Sequence, residues 1–355
     1  MARCVLFAEV PQFYAAVARA DDPALAGRPV LVGGDPRKRG RVQAATTDAL
    51  AAGVTLEMTM LEALRQCPQA RAVRTDMARY REVSRRLLAV LRGVEPHLEA
   101  FGLSGCYADL SAQRGEAGTL AGRAIDAVAG ELGLPLRVGI GTGKFLARLA
   151  AEEVRGERGV VRVPAGGERA FLDPLPASRL EGVGRKTAAA LAEMGAHTIA
   201  DVVALGRERL QAEFGPHGLR IHACAAGHDD QPVRAARHPK SLSRESTLRG
   251  EALDVAVFGE HLAGLSQQLE EELSRLGLAA GRVALKVRFG DHETTTRSAT
   301  LPRPTASAAD LRQAAARLLE RTQAGARPAR GIGIQLSLLA PADEADRQLD
   351  LFPPA

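Results

Sequence analysis

Between residues 228 and 240 the chain turns polar and carries Pro232 and Pro239, and this break constrains the fold more than any other stretch. A segment of that composition reads as a linker. The 355 residues therefore divide into units that must each bury a core of their own. A second change of texture falls near residue 165, where Pro164, Gly166, Gly167, Pro174 and Pro176 cluster and mark a boundary. Length allows two to four compact units.

Before residue 165 the pattern is mixed α/β. Residues 3–10 read as a buried strand and 12–19 as the start of a helix. Gly27 to Gly34 reads as a turn, a strand and a turn. A helix is expected over 77–94, since Val83, Leu87, Leu91 and Val94 recur at helical spacing. Two short strands are expected to bracket Ser104 to Leu110. A helix over 116–132 should end at Gly133, followed by a strand over 135–140 and a helix over 144–154. Residues 174–227 read as short helices. From 240 the order is strand, helix (254–276), strand (282–289), strand (293–301), helix (307–321), strand (331–339), which is a split β-α-β arrangement of the ferredoxin type.

The formal net charge is +5, and Lys stands only at positions 38, 144, 186, 240 and 286, so Arg supplies nearly all of the 47 basic side chains. Arg suits planar, bidentate contacts to phosphate. A basic chain fits a nucleic-acid partner, although a GC-rich genome also inflates Arg. Aromatic residues make up only 3% and Trp is absent, which argues against base-stacking platforms and points to backbone contacts. Cys4, Cys67, Cys106 and Cys224 form no C-x-x-C pair, which suits a reducing cytoplasm. The apolar run Cys4 to Ala8 meets Glu9 too soon for a signal peptide, and no apolar stretch approaches membrane-spanning length.

Six segments occur in a telling order. They are Val5-Leu6-Phe7-Ala8-Glu9-Val10-Pro11-Gln12-Phe13-Tyr14, Pro29-Val30-Leu31-Val32-Gly33-Gly34, Phe101-Gly102-Leu103-Ser104-Gly105-Cys106-Tyr107, Val138 to Ala147, Leu180 to Thr187, and Lys240 to Glu245. Together they resemble the Y-family DNA polymerases over nearly the whole chain. The resemblance implies an α/β multidomain right hand. Palm and inserted fingers would span 1–165 (fingers about 20–76), a helix-hairpin-helix thumb 166–231, and a linker 232–240. A ferredoxin-like little finger would span 241–340, and a flexible tail 341–355.

Polymerases of this family hold two divalent ions on carboxylates, because hard ions such as Mg²⁺ take oxygen ligands. The resemblance places those acids at Glu9, Ser104 and Gly105, with a further family Asp at Pro11. Only Glu9 keeps a carboxylate, and a bland reading makes it a buried or rim acid at a strand end. Asp109 lies about 16 Å beyond Ser104 at the usual strand rise and cannot substitute. The family's triphosphate-gripping Tyr and Arg fall at Thr47 and Leu50. Tyr14 and Lys144 stand where the family contacts the nucleotide, and are expected as remnants of that site or as a core aromatic and a helix-start cation.

Gly182-Val183-Gly184 opens a helix and exposes backbone N–H groups, with Arg185 and Lys186 beside them. This reads as a DNA-binding hairpin, or as an ordinary helix–helix turn. In the little finger, Lys240, Arg244, Arg288 and Arg297 are expected on phosphates. His217, His222, Cys224 and His228 have irregular spacing, and helices are preferred to zinc there. The tail Gln348-Leu349-Asp350-Leu351-Phe352 resembles the bacterial pentapeptide that docks in the sliding clamp's apolar groove.

These readings lead to the expectation of a non-catalytic, clamp-tethered DNA-binding protein of translesion synthesis and damage tolerance. It is similar to ImuB-type proteins, which link the clamp to an error-prone replicative-type polymerase and a RecA-like partner. The chain departs from them by stopping at the clamp motif. No cofactor is expected on this reading. The alternatives are an active DNA polymerase IV-like enzyme using Mg²⁺, and a plain DNA-binding module.

Overall fold

The run Val5-Leu6-Phe7-Ala8 is apolar at every position, so a strand made from it must be covered on both faces. In the computed structural model, which describes residues 3–38, 40–234, 239–291 and 293–342, this run becomes β1 (Val5–Glu9) at the centre of a five-stranded sheet. The sheet order is β5 (Leu98–Phe101), β6 (Gly105–Asp109), β1, β7 (Arg137–Gly141), β8 (Gly159–Arg162). Leu6 and Ala8 face the larger core, built with helices α4 (Met77–Val94) and α5 (Ala117–Leu132). Val5 and Phe7 face the other way, against Tyr107 and against Ala147 and Ala151 of helix α6 (Lys144–Glu152). Helix α6 lies close on the sheet because Gly139 has no side chain: a β-carbon there would stand 1.9 Å from the Ala147 carbonyl oxygen. Helix α1 (Phe13–Asp21) follows β1 directly.

A smaller sheet, in the order β3 (Val42–Ala45), β2 (Val30–Gly33), β4 (Arg71–Arg74), carries helices α2 (Thr47–Ala51) and α3 (Met60–Gln66) over its own core around Leu31 and Met60. Thr59 and Glu62 form a reciprocal capping box that starts α3. Beyond β8 the chain is helical: α7 (Glu168–Leu172), α8 (Arg185–Glu193), α9 (Ile199–Leu205), α10 (Arg207–Phe214) and α11 (Pro216–Ala225) share a core around Leu191, Leu210 and Ile221.

The chain divides into two compact units, Met1–Ala236 and Arg237–Ala355. In the second unit the elements are β9 (Ser241–Ala252), α12 (Val255–Leu276), β10 (Leu278–Phe289), β11 (Thr294–Thr305), α13 (Ala308–Leu319) and β12 (Ala329–Pro341). The sheet order is β11-β10-β12-β9 with every neighbour antiparallel. Strands β9 and β10 therefore run parallel with β12 between them, which is the split β-α-β expected from the sequence. Both helices pack on the face that carries Val283, Leu285, Ile334 and Leu336.

Two expectations shift. The segment from Ser104 to Leu110 is not flanked by strands on both sides; it contains β6 itself, with β5 before it. Strand β10 starts at Leu278, earlier than expected, because Gly277 closes α12 in the left-handed region (φ 64°) and the next strand begins at once. The pentapeptide Gln348 to Phe352 lies outside the described residues.

Candidate active site and nucleic-acid interface

The four positions implied as metal-bearing meet at one end of the palm sheet. Glu9 closes β1, with Gly105 of β6 and Arg137 of β7 as its ladder partners. Ser104 sits just before β6, and its carbonyl accepts the N–H of Val10 at 2.8 Å. Pro11 follows, buried. Of these four positions, only Glu9 carries a carboxylate. Gly105 also leaves no space for a side chain, since a β-carbon there would lie 3.1 Å from the Glu9 α- and β-carbons. Burial pushes the Glu9 carboxyl above its ordinary range, the Glu152 carboxylate adds to the rise, and Arg137 and Arg148 oppose it. Asp109 stands at the far end of β6 opposite Val5, and its Oδ1 accepts from the backbone and hydroxyl of Ser111. Among the described residues, no group of three or more His, Cys, Asp and Glu side chains could hold a metal ion. This donor set does not fit a pair of divalent ions.

The positions that the resemblance assigns to the nucleotide hold different contacts here. Tyr14 is half-buried and stacks on Tyr80, with ring centroids 4.3 Å apart. Thr47 donates its hydroxyl to Glu157 at 2.9 Å, and Leu50 packs against the core of the fingers. A cleft of about 370 Å³ opens beside them, lined in part by Pro11, Gln12, Thr46, Arg19, Glu157 and Arg158. Its cations are already paired, Arg19 with Asp48 and Arg158 with Asp126. Lys144 opens α6. It points into the palm, 7% exposed, with its Nζ 2.5 Å from Glu99 and 5.1 Å from the centre of the Tyr107 ring. In this arrangement the ammonium is engaged by Glu99 rather than by solvent.

In the thumb, Gly182 takes the left-handed conformation (φ 84°) that the tight turn needs, and its carbonyl lies 3.0 Å from His217 Nε2. The ring fills the space where a side chain at 182 would stand. Gly182, Gly184, Arg185 and Lys186 are all exposed, and α8 begins without a side-chain cap, so its first N–H groups face outward. Arg185 pairs with Glu57 of the fingers, both side chains largely exposed. His217 thus serves the hairpin turn, at a position that the sequence left among irregular histidines.

The little finger separates its expected DNA contacts by face. Val283, Leu285, Val287 and Phe289 point into the core. Arg282, Lys286 and Arg288 alternate with them and lie on the helix-free face. Their ladder partners are small or hydroxylic: Thr300, Ser337, Gly333, Thr296, Gly331 and Thr294. Arg244 and Arg297 are turned to the helix side instead. Arg297 is the ladder partner of buried Leu285 and donates to the Arg321 carbonyl, and Arg244 pairs with Glu272 of α12. Lys240 is exposed just before β9. Arg282 and Lys286, which the sequence reading did not name, share this face with Arg288, and Lys286 pairs with Glu245 at 2.9 Å. The period-two alternation from 282 to 289 is the signal that would have found them.

Models of the impB/mucB/samB family match residues 9–152, and models of that family's C-terminal domain match residues 239–351. The chain is 36% identical over 354 residues to a DNA polymerase IV of Alkalilimnicola ehrlichii, covering 99% of each. It is 34% identical over 353 residues to a DNA polymerase IV of Halorhodospira halophila, covering 99% of this chain and 98% of the relative. A chimeric Y-family DNA polymerase shares the fold with a TM-score of 0.82 at 21% identity, over 94% of this chain and 98% of that one. A post-insertion binary complex of Dbh DNA polymerase matches over the same shares with a TM-score of 0.73. With the family matched in both halves and relatives aligned end to end, the chain belongs to the impB/mucB/samB family, the Y-family DNA polymerases.

Proposed function

We propose that this chain works in DNA damage tolerance as a DNA polymerase IV-type protein that grips primer–template DNA, and that its palm supplies little or no nucleotidyl transfer. The observation that carries the second part is the donor set at the end of the palm sheet: Glu9, Pro11, Ser104 and Gly105 offer one carboxylate where two ions need several. DNA binding is supported by the open face of the little finger, where Arg282 and Arg288 stand among hydroxyls and glycines and can approach a phosphate backbone closely, with Lys286 beside them paired to Glu245. The Gly182–Lys186 hairpin offers a second phosphate contact. The tail from Gln348 to Phe352 would tether the protein to a sliding clamp.

The competing reading is an active, Mg²⁺-dependent translesion polymerase. Full-length relatives named DNA polymerase IV favour it, and they lend nothing to a role in linking further proteins. Primer extension with Mg²⁺ or Mn²⁺ separates the two readings. The expected outcome is no template-directed incorporation above background. Incorporation that disappears in Glu9→Gln would establish the polymerase reading and overturn ours.

A further inference from the structure

Residues 229–234 lie on the palm, past the last thumb helix, and are held at four points. Asp229 Oδ2 accepts the N–H of Phe145 at 2.8 Å and so caps the start of α6. Gly143 lets it come that close, since a β-carbon at 143 would stand 2.8 Å from the Asp229 β-carbon. Arg3 donates to the carbonyls of Asp229 and Gln231. Val233 packs on the cluster of Phe7, Tyr107, Ala147 and Ala151. The N–H of Arg234 donates to Glu99 Oε2 at 2.7 Å, the same oxygen that pairs with Lys144.

We infer that residues 229–234 are a strap locked to the palm sheet, and that Lys144 is a positioning residue for it, holding the Glu99 carboxylate where the Arg234 amide can reach it. The physical reason is shared charge. The Glu99 side chain is 14% exposed and the Lys144 side chain 7% exposed, and a charged acceptor held in place by a cation makes a stronger bond to the backbone N–H of Arg234. The chain thus leaves the first unit from a fixed point on the palm, set by a lysine that family position alone would assign to a nucleotide.

The test is hydrogen exchange on the full chain, read at the amides of Phe145 and Arg234, with amides of α5 as control. In Lys144→Met the Arg234 amide should exchange at least about tenfold faster, approaching an unprotected amide, while α5 amides stay strongly protected, their protection reduced only by the global loss of stability; that is the pattern of local opening at the strap. Arg3→Gln, at the rim of the strap, should speed both strap amides without touching the buried pair. If Lys144→Met does not fold, Asp229→Asn reads the Phe145 amide in its place. Unchanged strap exchange in every folded variant overturns the inference. So does a Lys144→Met protein that loses deoxynucleoside triphosphate binding while its strap exchanges as in the wild type. Neither readout depends on the outcome of primer extension.

Discussion

The α-carbon of Gly105 lies so close to Ala8 that a β-carbon added at 105 would stand 2.3 Å from the Ala8 carbonyl oxygen. That oxygen belongs to the β1 backbone, next to Glu9, and it cannot swing aside as a side chain would. A side chain at 105 would therefore require β1 and β6 to move apart.

It follows that putting the acids back will not restore a polymerase. Ser104→Asp with Gly105→Glu should lower stability by about 1–3 kcal/mol, the usual cost of forcing extra atoms into a packed site. Urea unfolding measures that loss. Primer extension by the double variant should stay at background, and full activity at unchanged stability would refute the prediction.

Glu9 gives a pH signature. Its carboxyl is raised in the folded chain, so the folded state holds the proton more tightly than the unfolded state. Stability should then fall as pH rises from the ordinary Glu value, about 4.3, through the raised one. Glu9→Gln removes that loss, so the variant should gain on the wild type across this window and stay ahead at neutral pH. Thermal melts between pH 4 and pH 8, about the range where carboxyls and their raised forms titrate, check the sign. If Glu9 holds an ion, added Mg²⁺ should stabilise the wild type alone.

Removing Lys144 should cost far more than removing a surface cation. Lys144→Met removes the cation from the part-buried Glu99 carboxylate, and breaking one side of a buried pair costs up to roughly 3–5 kcal/mol. Replacing both, Lys144→Met with Glu99→Gln, should recover a substantial part of the loss. Chemical denaturation of the two variants decides it, and equal losses would place the cost elsewhere.

DNA affinity should follow the face of the little-finger sheet. Arg282→Ala and Arg288→Ala should each weaken duplex binding nearly independently of sequence and reduce the log–log salt slope by about 1. Arg297→Ala should leave that slope unchanged, because its guanidinium is engaged with the Arg321 carbonyl on the other side. Salt titrations by fluorescence anisotropy give each slope. Equal effects from Arg288 and Arg297 would contradict the assignment of faces.

For the tail, a pull-down on a bacterial sliding clamp should lose retention in the Leu351→Ala, Phe352→Ala variant. Each such side chain contributes about 1.5–3 kcal/mol when fully buried in a groove. Undiminished retention would make the pentapeptide a coincidence of composition.

The sequence by itself determined the order of elements and the family, and it puts Glu9, Pro11, Ser104 and Gly105 at the positions that the resemblance assigns to acids. Each is written in local signals: the apolar run before Glu9, the helical spacing from Val83 to Val94, the glycine that ends α12, and Ser104 and Gly105 where the resemblance expects acids. Tertiary structure decided where charged side chains point. Lys144 begins a helix in either reading, and only packing against Tyr107 and Glu99 shows that it faces inward. Arg244 and Arg288 look alike as residues in strands. Strand register sends one toward α12 and the other to the open face, because side chains alternate and the helices cover one side only. The strap was invisible for the same reason. Asp229, Arg234, Glu99 and Arg3 are far apart in sequence, and the linker composition that separates the units says nothing about the surface on which its first residues lie.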